Sequence, residues 1–238
     1  MSTHYNHIVV LTGAGISAES GLTTFRGNNG MWGRYAIEDV ASIEGFERNP
    51  DKVFDFYNEL KPQMDKALPN TAHYALSCLQ QEYGAASVDI ITQNVDLLHE
   101  KAGNQNVYHI HGRIDETMCL HCGFVARNLS NPSSSSICPN CQMQGMMKPH
   151  IVFFGEEPLY MDQVEHLLSQ CDLFIAIGTS GVVYPAAGFV QSAKYANAQT
   201  YLFNLDVGAN DFYFDHQIIG KASKTIPQFV EKLIKAKT

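Results

Sequence analysis

Residues 7–18 read His7-Ile8-Val9-Val10-Leu11-Thr12-Gly13-Ala14-Gly15-Ile16-Ser17-Ala18, and this stretch decides the fold. Four consecutive apolar residues bounded by a glycine are a short buried strand. Ile16 to Ser20 then opens a short helix. The turn between them, Gly13-Ala14-Gly15-Ile16-Ser17-Ala18, fits the G-x-G-x-x-G/A pattern. Its glycines permit a tight turn and close approach of backbone to a pyrophosphate, and a helix N-terminus favours the negative charge. An ordinary glycine-rich strand–helix turn would carry the same residues.

Working outward, further apolar runs at 88–91, 107–110, 151–154, 173–177 and 200–205 predict strands. Helical patterns occupy 38–47, 50–66, 71–83, 96–102, 160–170, 185–196 and 226–236. Asn70 is placed to cap the helix at 71–83, and Pro62 would kink or shorten the one at 50–66. The 21–35 stretch, with Trp32, reads as a long loop. Strands alternating with helices predict an α/β fold: a Rossmann-like parallel sheet with helices on both faces, plus a small inserted module. The expected boundaries are 1–33, 84–111 and 151–238 for the sheet domain. The module takes 34–83 and 112–150.

A dehydrogenase would show a second strand soon after the first helix, ending in an acid for the ribose. Here the chain runs into Gly27-Asn28-Asn29-Gly30, and Glu38 and Asp39 open a helix. A dinucleotide remains the expected ligand, but hydride transfer is disfavoured.

The 238 residues carry 16 Lys plus Arg against 24 Asp plus Glu, a net charge of −8. That balance disfavours nucleic acid, which needs a surplus of cations. No run approaches the roughly 20 apolar residues of a membrane span, and no leader precedes Ile8, so a cytoplasmic protein is expected.

Four of the six cysteines form Cys119-x2-Cys122 and Cys138-x2-Cys141. Two such knuckles complete a tetrahedral site, and four thiolates leave no open position, so one structural Zn2+ is expected. Two disulfides or a redox pair are the weaker readings. His121 lies within the first knuckle and reads as solvated. Cys78 and Cys171 read as core residues.

Polar motifs end several strands. Gln93-Asn94-Val95-Asp96 can hydrogen-bond ribose hydroxyls and a carboxamide, although Asn94 could equally cap a helix. His109-Ile110-His111-Gly112 offers a base that titrates near neutrality, although such histidines are often structural. Gly178-Thr179-Ser180-Gly181 and Asn204 end two further strands. All these ends converge on one crevice.

Taken together the chain resembles a sirtuin, an NAD-dependent protein-lysine deacylase. The resemblance rests on GAGISAESGLTTFRG at 13–27, TQNVD at 92–96, HIHG at 109–112, the paired CxxC knuckles, KPHIVFFGE at 148–156, GTSGVVYPAAG at 178–188 and Asn204-Leu205. It spans nearly the whole chain. It implies NAD+ as co-substrate, with Gly13, Ala14, Gly15 and Ser17 at the pyrophosphate. Phe25 and Arg26 would lie on a cofactor loop, Phe25 shielding the reacting ribose. Gln93 and Asn94 would orient that ribose and a water, Asp96 the nicotinamide carboxamide, and His111 would be the general base. Gly178, Thr179, Ser180, Asn204 and Ala222 would hold the adenosine half. Val152, Phe153, Phe154, Gly155 and Glu156, with Gly181, Val182 and Val183, would grip an acyl-lysine protein segment as an added strand. Nicotinamide and O-acyl-ADP-ribose would be the products. An ADP-ribosyltransferase or NAD hydrolase is the alternative on the same scaffold, and a non-enzymatic zinc-ribbon module a third reading. The chain is expected to be a monomer.

Ala41 and Tyr57 are similar to the subclass that removes acidic acyl groups, which has the pattern Tyr-x-x-Arg. Here the string is Tyr57-Asn58-Glu59-Leu60. With Leu60 in place of Arg, the charge-assisted bond to an acyl carboxylate is missing, so succinyl should be disfavoured and acetyl or longer neutral acyls favoured.

Overall fold

The computed structural model describes residues 5–23, 35–208 and 211–237. Strands β1 (Ile8–Thr12), β2 (Val88–Thr92) and β3 (Val107–His109) begin the main sheet. Strands β4 (Gly112–Cys119), β5 (Val125–Arg127) and β6 (Met147–Ile151) form a separate three-stranded antiparallel sheet. Strands β7 (Leu173–Ile177), β8 (Gln199–Asn204) and β9 (His216–Ile219) complete the first, in the order β3-β2-β1-β7-β8-β9. Every pairing in that sheet is parallel.

Successive side chains of β1 enter opposite cores, as strand pleating requires. Ile8 and Val10 join Leu76, Leu79, Ile226 and Val230 on one face. Val9 and Leu11 join Val164, Leu168, Phe189 and Val190 on the other. Helices α1 (Ala14–Ala18), α2 (Ile37–Val40), α3 (Ile43–Arg48), α4 (Pro50–Lys66), α5 (Thr71–Tyr83), α6 (Leu98–Lys101), α7 (Met161–Gln170), α8 (Phe189–Tyr195) and α9 (Ala222–Lys237) fill the connections. The first core is covered by α5 and α9 and the second by α7 and α8. Among the described residues no helix is long and apolar enough to cross a membrane.

Several boundaries differ from the sequence reading. The helix expected over 38–47 is two helices, because the Ser42 hydroxyl accepts the Gly45 amide and restarts the chain as α3. Pro62 lies within α4, which nonetheless runs on to Lys66. The strand expected at 151–154 is β6, ending at Ile151, because 147–151 pairs with β4 instead. The last helix starts at Ala222 rather than 226, and β9 has no counterpart in the sequence reading. Helix α5, assigned by sequence to the inserted module, buries Ala72, Leu76 and Leu79 in the sheet's own core. Cys171 is buried as expected, but Cys78 is exposed. It shares the outward stripe of α5 with Thr71 and Tyr74, at helical spacing.

A third apolar cluster lies away from the main sheet. Val40, Val53, Phe56, Tyr57 and Leu60 of α2 and α4 pack there against Ile114, Ile151 and Phe153. The antiparallel sheet carries Cys119, Ala126 and Met147 into a fourth cluster with Phe54 and Cys138.

Candidate active site

The crevice is built where β1, β2, β3 and β7 end. The Gly13 amide donates to the Ile177 carbonyl at 3.0 Å and the Gly15 amide to Gly178 at 2.9 Å, so the β1–α1 turn lies directly on the end of β7. A Cβ on Gly13 would stand 2.7 Å from the Gly178 oxygen, and one on Gly178 (φ +60°) 2.5 Å from the Ile16 nitrogen. The chain's own backbone packing therefore demands these glycines.

The Asn94 amide group donates to the Gly13 carbonyl and to Ser17 Oγ, each at 3.1 Å. Ser17 Oγ donates onward to Asp96 Oδ2 at 2.9 Å, and the Leu98 amide donates to Asp96 Oδ1 at 3.0 Å. Asn94, Ser17 and Asp96 thus form one buried polar knot joining the β1 and β2 ends. Burial pushes the Asp96 carboxyl up, and the hydrogen bonds from Leu98 and Ser17 oppose that rise. Gln93 Nε2 is buried with no hydrogen-bond partner, a donor left for a ligand.

His111 Nδ1 lies 3.1 Å from the Gln93 carbonyl. A carbonyl only accepts, so Nδ1 carries the hydrogen and Nε2 keeps its lone pair, the form a general base requires. Burial lowers the His111 pKa, with the Gln93 contact opposing, so the ring is held neutral near pH 7. His109 is buried more deeply, with Nδ1 2.8 Å from the Asn94 carbonyl and Nε2 2.7 Å from Glu100 Oε1.

Thr179 is buried and Ser180 exposed. Asn204 Nδ2 donates to the Thr179 carbonyl at 2.9 Å and so fastens the β7 loop to the end of β8. Gly181, Val182 and Val183 follow on that loop, Val182 exposed. Ala222 is buried in the same core as Ile16. Ala14 sits in the first turn of α1. Phe25 and Arg26 lie outside the described residues.

The 152–156 segment is fixed from three sides. The Val152 amide donates to the His111 carbonyl at 3.0 Å, and the Phe154 amide to Ala41 at 2.8 Å. Glu156 Oε2 accepts from the Phe153 amide at 2.7 Å and from Lys148 Nζ at 2.8 Å. Lys148 is buried, 3.9 Å from the centre of the Phe153 ring. Gly155 holds φ +95° in the turn that lets Glu156 reach back. Sequence reasoning missed the roles of Lys148 and Ser42. The strand that carries the first, Met147-Lys148-Pro149-His150-Ile151, has no apolar run against which a lysine would stand out.

Tyr57 and Leu60 are buried with Phe153, on which the Tyr57 ring stacks at 6.4 Å. Burial, reinforced by Glu156, pushes the Tyr57 hydroxyl up, so it stays protonated. Lys61, the cation next to Leu60, is engaged by Asp65 at 2.6 Å.

The four cysteine sulfurs lie within 4.8 Å of one another. Cys119 and Cys141 are 3.7 Å apart, as are Cys122 and Cys138. Tetrahedral zinc–thiolate bonds place sulfurs roughly 3.8 Å apart, so the cluster fits Zn2+.

Residues 13–185 match the Sir2 family. The chain belongs to the Sir2 family. An NAD-dependent protein deacylase of Vibrio cholerae serotype O1 is 47% identical over 238 residues, covering 99% of this chain and 96% of that protein. The Leishmania major NAD-dependent protein deacylase SIR2rp3 is 48% identical over 232 residues, 96% of each chain. Among solved structures, a Sir2 homologue–NAD complex superposes with a TM-score of 0.88 at 34% identity, covering 98% of this chain and 91% of that one. Sir2Af2 bound to a myristoylated histone peptide superposes at 0.73, with 34% identity and coverage of 97% and 92%. In this Sir2 scaffold the crevice residues and the cysteine cluster belong to one chain that fits both NAD+ and structural zinc.

Proposed function

We propose that this Sir2-family protein is an NAD-dependent protein-lysine deacylase that prefers acetyl and longer neutral acyl groups to succinyl. One observation carries the catalytic reading. His111 gives its Nδ1 hydrogen to the Gln93 carbonyl and keeps a basic Nε2 at the crevice. The relatives named above share the deacylase activity. When bound, NAD+ would supply a ribose carbon that the acyl amide oxygen attacks as nicotinamide leaves, and the neighbouring ribose hydroxyl that carries the acyl group once water has released the lysine.

The chain's residues do the rest. His111 removes a proton from the ribose hydroxyls, a step that needs the neutral imidazole. Gln93 offers its unpartnered Nε2 to the ribose, and Asn94 orients the same sugar and a water. The oxygens of Asp96 retain lone pairs beyond those used by Ser17 and Leu98, and these accept from the nicotinamide carboxamide. Gly13, Ala14, Gly15 and Ser17 line the pyrophosphate, and Gly178, Thr179, Ser180, Asn204 and Ala222 the adenosine half. Phe25 and Arg26 are assigned to the cofactor by the sequence resemblance alone. The acyl-lysine segment lies as a strand between 152–156 and 181–183. Its amide oxygen is a poor nucleophile, so this positioning supplies much of the rate. Zinc on Cys119, Cys122, Cys138 and Cys141 is structural.

Leu60 supports the acyl preference, because it puts a buried alkyl group where a succinyl carboxylate would need a cation. The protein is read as a cytoplasmic monomer; light scattering tests the oligomeric state. The main test is an NAD-dependent assay across acyl-lysine peptides, with products identified by mass spectrometry. O-acyl-ADP-ribose supports the proposal. Free ADP-ribose or ADP-ribosylated protein would establish the hydrolase or transferase reading instead. Retained turnover in His111→Ala would remove the base assignment.

A further inference from the structure

His109 stands beside the base, two residues away, yet the deacylation scheme gives it no task. Its surroundings are specific. The ring is 2% exposed, and both nitrogens meet acceptors: the Asn94 carbonyl at Nδ1 and Glu100 Oε1 at Nε2. Glu100 is also held by Arg113 Nη1 at 3.1 Å, and Arg113 grips Asp115 with Nε and Nη2 at 3.0 and 3.1 Å. His109 is therefore fixed from behind by an ionic chain that starts on α6 and continues into β4. What it faces in front is the main-chain carbonyl of Asn94.

The two histidines make the same contact one residue apart. His111 Nδ1 donates to the Gln93 carbonyl, and His109 Nδ1 donates to the Asn94 carbonyl. We infer that His109 is a positioning residue for deacylation, holding the Asn94 carbonyl so that the Gln93–Asn94 segment presents both carboxamides at a fixed angle to His111. The inference rests on the reading of His111 as the base.

The two nitrogens of His109 can be separated by substitution. In His109→Asn the side-chain amide nitrogen takes the place of Nδ1 and keeps the bond to Asn94. In His109→Gln the amide nitrogen takes the place of Nε2 and keeps only the bond to Glu100. Each variant of the full chain loses one of two buried hydrogen bonds, so a purely structural role lowers Tm and kcat alike in both. Positioning predicts a split. His109→Asn holds kcat within about threefold of the parent, whereas His109→Gln loses roughly tenfold or more with KM for an acetyl-lysine peptide unchanged. Equal losses in both variants, or a more active His109→Gln, overturn it.

If a variant fails to fold, the parent protein labelled with 15N-histidine answers the question. His109 Nδ1 should appear protonated, exchange slowly and shift on addition of ADP-ribose; an unprotonated Nδ1, or no response, overturns the inference. His111→Ala in the same assay keeps the two readings apart. Turnover surviving that substitution removes the base assignment, whereas the Asn-versus-Gln contrast at 109 is read from the parent His111 background.

Discussion

Gly15 and Gly178 touch backbone to backbone: the Gly15 amide donates to the Gly178 carbonyl at 2.9 Å, and a Cβ on Gly15 would stand 2.6 Å from the Gly178 Cα. The turn after β1 and the loop after β7 are thereby one rigid floor. Gly178→Ala adds a left-handed strain and a collision with the Ile16 nitrogen. A strained non-glycine residue costs of order 1–3 kcal/mol before any clash, and in a chain of this size each kcal/mol lowers Tm by about 2–4 °C. Gly21→Ala is the control, since Gly21 has φ +86° but nothing within 4 Å of its Cβ. Thermal melts and NAD+ titration should show Gly178→Ala losing more of both stability and affinity; equal losses would sink the backbone-contact argument.

His73 and His99 form a buried pair with ring centres 5.0 Å apart, beneath the end of β1. Burial lowers His73 to about 4 and His99 well below its usual value. Both are neutral when folded and titrate near 6.5 when unfolded, so the unfolded chain binds more protons below that pH. Their stabilisation is therefore complete above 6.5 and is lost as pH falls toward 4, by on the order of 3 kcal/mol for His73. Urea unfolding at pH 7.0 and 5.5 should show the drop. His73→Asn, which retains an acceptor for the Asn70 amide, should flatten it; an unchanged slope would assign the loss to other groups.

Zinc removal should act on one part of the molecule. Elemental analysis should give one zinc per chain. A chelator, or Cys138→Ser, should release hydrogen-exchange protection in β4–β6 and abolish deacylation, while amides of β1 and α5 stay protected. Loss of protection throughout would mean that the two sheets melt as one unit.

Leu60→Arg should restore a carboxylate partner in the acyl pocket. A charge-assisted bond is worth about 1.5–3 kcal/mol, which corresponds to tenfold or more in kcat/KM for succinyl-lysine. The burial of Leu60 means a lower Tm as well. No gain on succinyl peptides would show that residue 60 does not reach the acyl end.

Much of this was legible in the chain. The strands of the parallel sheet are short runs of branched residues buried on both faces, so composition alone exposes β1, β2 and β7. The cysteine spacing names its metal before any coordinates. Other elements gave no such signal. Strand β9 is mostly exposed and begins His216-Gln217, so it lacks the apolar run that marks its neighbours. Strand β6 contains Lys148 and Pro149, and its partner β4 is largely polar. Their pairing is decided by contacts between distant segments. The allocation of α5 was misread because its amphipathic face says that it packs, not against what. The crevice motifs were found individually. That Ser17 ties Asn94 to Asp96, and that two histidines hold adjacent carbonyls, depends on three chain segments meeting.

Tyr57 and Leu60, the residues proposed to set the acyl preference, pack with Val40 and Phe153 in a cluster separate from the two that hold the parallel sheet. Changes at distant, unshared sites combine almost additively. Under the proposed function, substitution in α4 is therefore expected to alter acyl choice without disturbing the Gly13, Gly15 and Gly178 contacts. Substrate selection and the glycine floor are then two separately adjustable parts of one chain.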